Sequence, residues 1–166
     1  MSNKKLPTVP VEVMDPIPSP WAKPRDIRDL FSYRLAYMVR LNDRHAQTVL
    51  IDQFGLTLGE WRTLATINYL GRPSLRHLAR TTQQDEGQLS RYVSGLIKRD
   101  LLAKKPSETD QRMVELTLTE KGEALHQDVM TFAWRLNQDI FVDLDENEQT
   151  QLISLLDKLF QSISRL

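Results

Sequence analysis

The sequence predicts a mainly α-helical fold with one small β-hairpin wing, and three observations predict it. Apolar residues recur at three- and four-residue spacing through most of the chain after residue 25. Helix-start signals stand at Thr57-Leu58-Gly59-Glu60, Ser74, Asp85 and Asp145-Glu146-Asn147-Glu148. Strand-like runs at residues 101–105 and 113–118 bracket a charged turn, Pro106-Ser107-Glu108-Thr109-Asp110. Between residues 54 and 124 the order is helix, helix, turn, helix, charged hairpin. That order is the pattern of a winged helix-turn-helix, flanked here by N- and C-terminal dimerisation helices.

Each element has its own warrant. Residues 1–24 hold six of the eight prolines (Pro7, Pro10, Pro16, Pro18, Pro20 and Pro24), which excludes a helix before about Arg25. This arm reads either as a loose tail or as a strap docking on a partner subunit through Val11, Val13, Ile17 and Trp21. Residues 25–166 are expected as one domain, with dimerisation helices over 25–54 and 119–166 and the winged helix-turn-helix over 55–118. From Asp26 to Phe54, Ile27, Leu30, Phe31, Leu35, Met38, Val39, Leu41, Val49 and Leu50 keep helical spacing. A bend or break is expected near Asn42-Asp43, and Gly55 ends the helix. Thr57 and Glu60 form a capping box for a helix to Leu70, with Trp61, Leu64, Ala65 and Ile67 facing the core.

Gly71-Arg72-Pro73 is a turn, Ser74 caps a short helix through Arg80, and residues 81–84 make the next turn. Asp85 caps a helix from Glu86 to Arg99, whose Leu89, Val93, Leu96 and Ile97 pack inward. Gln88, Ser90, Arg91 and Ser94 then face away from the core. A face of small, hydrogen-bonding residues suits close approach to another surface. Thr119 opens a helix with Leu125, Val129, Phe132, Ala133, Leu136, Ile140 and Phe141. The last helix carries Leu152, Leu155, Leu156, Leu159, Phe160 and Ile163, a broad apolar face that calls for a partner chain.

Composition bounds the function. Net charge is zero over 166 residues, but its distribution is uneven. Residues 71–113 hold nine basic and five acidic side chains, while Asp139, Asp143, Asp145, Glu146 and Glu148 cluster near the C-terminus. A basic middle suits a face offered to phosphates. The absence of cysteine excludes disulfides, thiolate metal sites and thiol sensing. No apolar run approaches the ~20 residues of a membrane span, and no secretory leader is evident, so a cytoplasmic location is expected. The three histidines, His45, His77 and His126, fall on different helices without metal-ligand spacing, so no metal or cofactor is expected. No nucleophile motif, phosphate loop or clustered carboxylate site supports an enzyme.

Several segments together resemble the MarR family of bacterial transcriptional regulators. They are Phe54-Gly55-Leu56-Thr57, Trp61-Arg62-Thr63-Leu64, Leu78-Ala79, Leu89-Ser90-Arg91-Tyr92-Val93, Leu96, Asp110-Gln111-Arg112 and Leu116-Thr117-Leu118-Thr119-Glu120-Lys121-Gly122. The match covers roughly residues 30 to 160. It departs from the family pattern at Thr82-Gln83-Gln84, where an apolar-Gly-apolar turn is usual, and at Asp100, where Gly usually precedes the wing. The acidic start Asp85-Glu86-Gly87-Gln88 is a third departure. The resemblance implies a homodimer on a pseudo-palindromic operator, usually a repressor relieved by a small ligand.

In that frame Gln88 and Arg91 are the candidates for base edges, with Arg91 on phosphate as the equal alternative. Ser90 and Ser94 are expected on the DNA backbone. Arg76, His77 and Thr82 lie on or after the helix that crosses the phosphates in this docking geometry. Arg112 is the candidate wing arginine, Asp110 its brace, and Lys104 and Lys105 added phosphate contacts or solvated hairpin lysines. The resemblance places an effector pocket between the dimerisation helices and the DNA-binding lobe. Arg34, Tyr37, Arg40, His45 and Trp61 are its candidates, for a small aromatic carboxylate or phenol tied to aromatic catabolism. The other reading makes Trp61 core and the two arginines interface ion pairs. The alternative function is an effector-independent regulator or an architectural DNA binder.

Overall fold

The computed structural model describes residues 15–16, 19, 22–107 and 113–165. Asp110, Arg112 and the arm residues Val11, Val13, Ile17 and Trp21 lie outside them. The chain divides into two compact units, Met1–Gly122 and Glu123–Leu166.

The first unit opens on a 3-10 turn at Ile27–Asp29, capped by Asp26, whose carboxylate accepts the Arg28 backbone N–H. Leu30 is extended, so helix α1 begins only at Phe31 and runs to Val49. The expected break near Asn42-Asp43 does not occur. Asp43 does not cap the backbone there, because the Arg62 guanidinium grips its carboxylate at 2.6 and 3.1 Å. The irregularity comes later, as a widened π-type turn over Leu50–Phe54. Gly55 ends it at φ 61, its N–H donating to the Ile51 carbonyl while the Leu56 N–H reaches Leu50. The Gly55 bond is the single bond of a left-handed αL cap, and the Leu56 bond reaches one residue further back, across the widened turn.

Helix α2 spans Leu58–Leu70, and its Thr57/Glu60 capping box is complete. The Gln47 side-chain carbonyl accepts the Leu58 N–H at 2.8 Å and ties α1 to this helix start. Helix α3 (Leu75–Thr82) is capped by Ser74 and helix α4 (Glu86–Lys98) by Asp85. Thr81 and Thr82 belong to α3, so the turn is tighter than expected and rests on Gln83. Strands β1 (Leu102–Pro106) and β2 (Val114–Leu118) pair antiparallel, Leu102 opposite Leu118 and Pro106 opposite Val114. The Leu116 N–H donates to the Pro73 carbonyl, which stitches the hairpin to the segment before α3. Leu50, Leu56, Leu64, Ile67, Leu78, Leu89, Leu96, Leu101, Leu102 and Leu116 form the core, none more than 2% exposed. Helix α4 packs on α2, α3 and β1. Helix α5 (Glu120–Ile140) starts in this unit and enters the second, where the Asp145/Glu148 box starts α6 (Glu146–Ile163). No residue of α6 is buried.

Two departures from the family pattern keep the backbone that glycine normally serves. Gln83 sits at φ 53 and Asp100 at φ 60, both left-handed. An L-residue there costs ~1–2 kcal/mol, partly offset because glycine is freer in the unfolded chain. Gln83→Gly and Asp100→Gly are each expected to stabilise the fold by about 0.5–1 kcal/mol. A lowered urea midpoint in either variant would contradict this.

Candidate nucleic-acid interface

Helix α4 separates two faces cleanly. Leu89, Val93 and Leu96 are at most 3% exposed, and Gln88, Ser90, Arg91 and Ser94 are exposed. The apolar stripe fixes the helix against α2 and α3, and this fixes the direction in which the polar stripe points. At the N-terminus the Asp85 carboxylate accepts the Gln88 N–H at 2.9 Å. Gly87 lies close against that cap, since a Cβ there would stand 3.0 Å from Asp85 Oδ1. Two acidic groups at a helix start favour the helix dipole but repel phosphate. On the same flank, Gln88 in the first turn and Arg91 in the next are exposed and carry no negative charge.

On α3, Arg76 and His77 are exposed, as is Arg80, which the sequence reading did not select. Thr82 is half-buried, and its hydroxyl donates to the Leu78 carbonyl at 2.9 Å. Its one side-chain donor is therefore turned toward its own helix. Lys104 and Lys105 are exposed on β1. Ser107 continues the ladder beyond them, donating its N–H to Met113.

Sequence reasoning missed Tyr92 and Arg99. Gln88 Nε2 donates to the Tyr92 hydroxyl at 2.8 Å, and the i,i+4 spacing of the pair was the available signal. Arg99 donates to the Gly55 carbonyl at 2.9 Å and lies 3.8 Å from Glu60, joining the end of α4 to the start of α2. No sequence signal marks a contact across 44 residues.

Of the candidate effector residues, the structure brings Arg40 and Tyr37 into contact. Arg34 is engaged inside its own chain, its guanidinium donating to the Arg28 carbonyl and lying 3.9 Å from Asp29. Asp29 is also gripped by the Arg25 backbone N–H, Nε and Nη2 at 2.9–3.0 Å. The Arg25 side-chain hydrogen bonds, above all, hold its carboxyl well below the usual carboxylate range. Arg40 lies over the rings of Tyr33 and Tyr37, 5.8 and 5.9 Å from their centroids. His45 on α1 and Trp61 on α2 are half-buried. Among the described residues no group of three or more His, Cys, Asp or Glu side chains is placed to hold a metal ion. No helix among them is long and apolar enough to cross a membrane.

A helix-turn-helix packed against a two-stranded wing, with a polar helix face turned outward, defines a DNA-binding protein of the winged-helix class. Comparison with known proteins gives the family. Residues 54–113 match the sequence profile of the MarR family. The HTH-type transcriptional regulator BilQ of Clostridium symbiosum is 33% identical over 112 residues, 66% of this chain and 76% of that protein. Among solved structures, Bordetella bronchiseptica BpsR, whose DNA binding is regulated by 6-hydroxynicotinic acid, is 26% identical with a TM-score of 0.70. The match covers 82% of this chain and 97% of that one. A mutant MarR from E. coli complexed with operator DNA is 25% identical with a TM-score of 0.66, over 76% and 91%. The chain belongs to the MarR family, and it is a DNA-binding transcriptional regulator rather than an enzyme.

Proposed function

We propose that this regulator binds a pseudo-palindromic operator as a homodimer, represses from it, and is released by a small aromatic carboxylate or phenol. The observation that carries the DNA half is the split of α4 into a buried Leu89/Val93/Leu96 stripe and an exposed Gln88/Arg91/Ser94 stripe. Gln88 and Arg91 take base edges, and Ser90, Ser94, Arg76, His77 and Lys104 take the phosphate backbone. Arg112 on the wing meets the minor groove or its flanking phosphate. The likeness to an operator-bound MarR supports this docking.

The effector half rests on Arg40 and the two tyrosines beneath it, which pair a cation with an aromatic wall. Arg34, bound to Asp29, is the weaker clamp. BpsR responds to a hydroxylated aromatic carboxylate, the same ligand class. The test is footprinting on DNA flanking the chain's own gene, with and without benzoates, hydroxycinnamates and nicotinates, 6-hydroxynicotinic acid included. Release by one of them supports the reading. Binding that none of them alters leaves the effector-independent regulator. Equal binding to operator and random duplex, where a repressor prefers its operator by ~10³ or more, leaves the architectural one.

The two arginines are separable by salt. Arg112→Ala is expected to weaken binding to all sequences alike and to lower the slope of log K against log salt by about 1. Arg91→Ala should keep the slope and lose ~1–3 kcal/mol of discrimination at one base pair. An unchanged slope for Arg112→Ala would remove that residue from the phosphate contacts.

A further inference from the structure

We propose that Tyr92 is a positioning residue for base reading. Its hydroxyl tethers the Gln88 side-chain amide, and Gly59 of α2 is the seat that fixes the hydroxyl. The inference rests on the reading of Gln88 as a base contact.

Gln88 Nε2 donates to Tyr92 Oη at 2.8 Å, one helical turn along α4. Tyr92 is half-buried, and the hydroxyl end of its ring lies against Gly59, in the first turn of α2. Any Cβ at residue 59 would overlap Cζ, Cε2 and Oη of that ring. The glycine there gives the ring its place. The seat is itself held, because the Thr57/Glu60 capping box and the Gln47 bond to the Leu58 N–H fix the start of α2.

A free glutamine side chain samples many rotamers and can present its amide either way round. Adenine recognition needs the carbonyl oxygen toward N6 and an N–H toward N7. Using one Nε2 hydrogen on Tyr92 leaves one N–H and the carbonyl available. It also reduces the rotamer freedom that would otherwise be lost on binding. A preorganised donor-acceptor pair discriminates better than a mobile one, so the tyrosine sets specificity without touching DNA.

Two variants separate this role from simple packing. Tyr92→Phe keeps the ring over Gly59 and removes only the hydroxyl. Gly59→Ala keeps the hydroxyl and pushes it off its seat. The overlap is with the far end of a flexible side chain, so the fold survives. The first measurement uses the free dimer and the Gln88 side-chain NH2 signals in NMR. Both variants are expected to shift them and to speed their hydrogen exchange. Signals unchanged in Tyr92→Phe would overturn the proposal.

The second measurement selects duplexes from a library with randomised half-sites. Gln88→Ala is expected to flatten the preference at one base pair by roughly 5- to 150-fold, the range for a bidentate contact. Tyr92→Phe and Gly59→Ala are expected to flatten the same base pair by about threefold or more, with the salt slope intact. If Gln88→Ala flattens it and the other two do not, Gln88 reads bases without help from Tyr92, and the positioning role is lost. If Gln88→Ala changes no base preference, the base-contact reading falls and takes this inference with it.

Discussion

Gly122→Ala is expected to destabilise the protein by about 3 kcal/mol, near the upper end of overpacking costs. Gly122 is buried in the first turn of α5, and a Cβ there would overlap the Leu101 backbone carbonyl. That carbonyl cannot yield easily, because it accepts the Thr119 N–H at 3.2 Å. The Thr119 hydroxyl donates to the Asp100 carbonyl and accepts the Gly122 N–H. Lys121 Nζ reaches the Arg99 carbonyl at 2.9 Å. Thr119, Lys121 and Gly122 at the start of α5 thus lie locked against the residues between the end of α4 and the start of β1. A methyl group must push α5 away or move the wing. At this chain length ~3 kcal/mol corresponds to a fall in Tm of roughly 6–12 °C. Lys121→Ala, at an exposed site, should cost under about 1 kcal/mol. Calorimetry and urea unfolding of both variants check the contrast, and a Gly122→Ala protein as stable as Lys121→Ala would refute it.

Gly122 also marks the limit of what the sequence could reveal. It stood in the segment Leu116–Gly122 that carries the family resemblance, yet the reason for glycine there is a backbone oxygen 21 residues earlier. Features set by neighbours within four residues were legible. The Thr57/Glu60 and Asp145/Glu148 boxes, the Ser74 and Asp85 caps and the inward stripe of α4 all depend on local spacing. Features set across the fold were not. The Asp43–Arg62 pair, 19 residues apart, keeps α1 whole where Asn42-Asp43 suggested a break. Arg34 looked available as a ligand clamp because Asp29 reaches it only through the 3-10 turn that precedes α1. The seat of the Tyr92 hydroxyl exists only because the fold brings Gly59 of α2 against it.

Leu159→Glu is expected to have the largest effect on function. On α6, Leu152, Leu155, Leu156, Leu159, Phe160 and Ile163 share one face, and every one is at least 36% exposed in the single chain. Ile27, Leu30, Phe31, Met38 and Val39, in and before α1, are exposed as well. A monomer that left such surface in water would invite aggregation. A second copy covers it in the proposed dimer, and the two reading helices then meet half-sites one helical turn apart, ~34–36 Å. A carboxylate at residue 159 is harmless in the single chain, where the side chain meets water. In the dimer it must be desolvated, at a cost of several kcal/mol. The variant should therefore keep its helical circular dichroism and run as a monomer at micromolar concentration. Losing the linked second half-site should lower operator affinity by about 10²-fold or more. Charge at an exposed position away from the face, as in Thr150→Glu, should leave assembly and binding intact. A Leu159→Glu protein that stays dimeric and binds normally would place the dimer interface elsewhere. Wild-type chain that sediments as a monomer would remove the paired half-sites altogether.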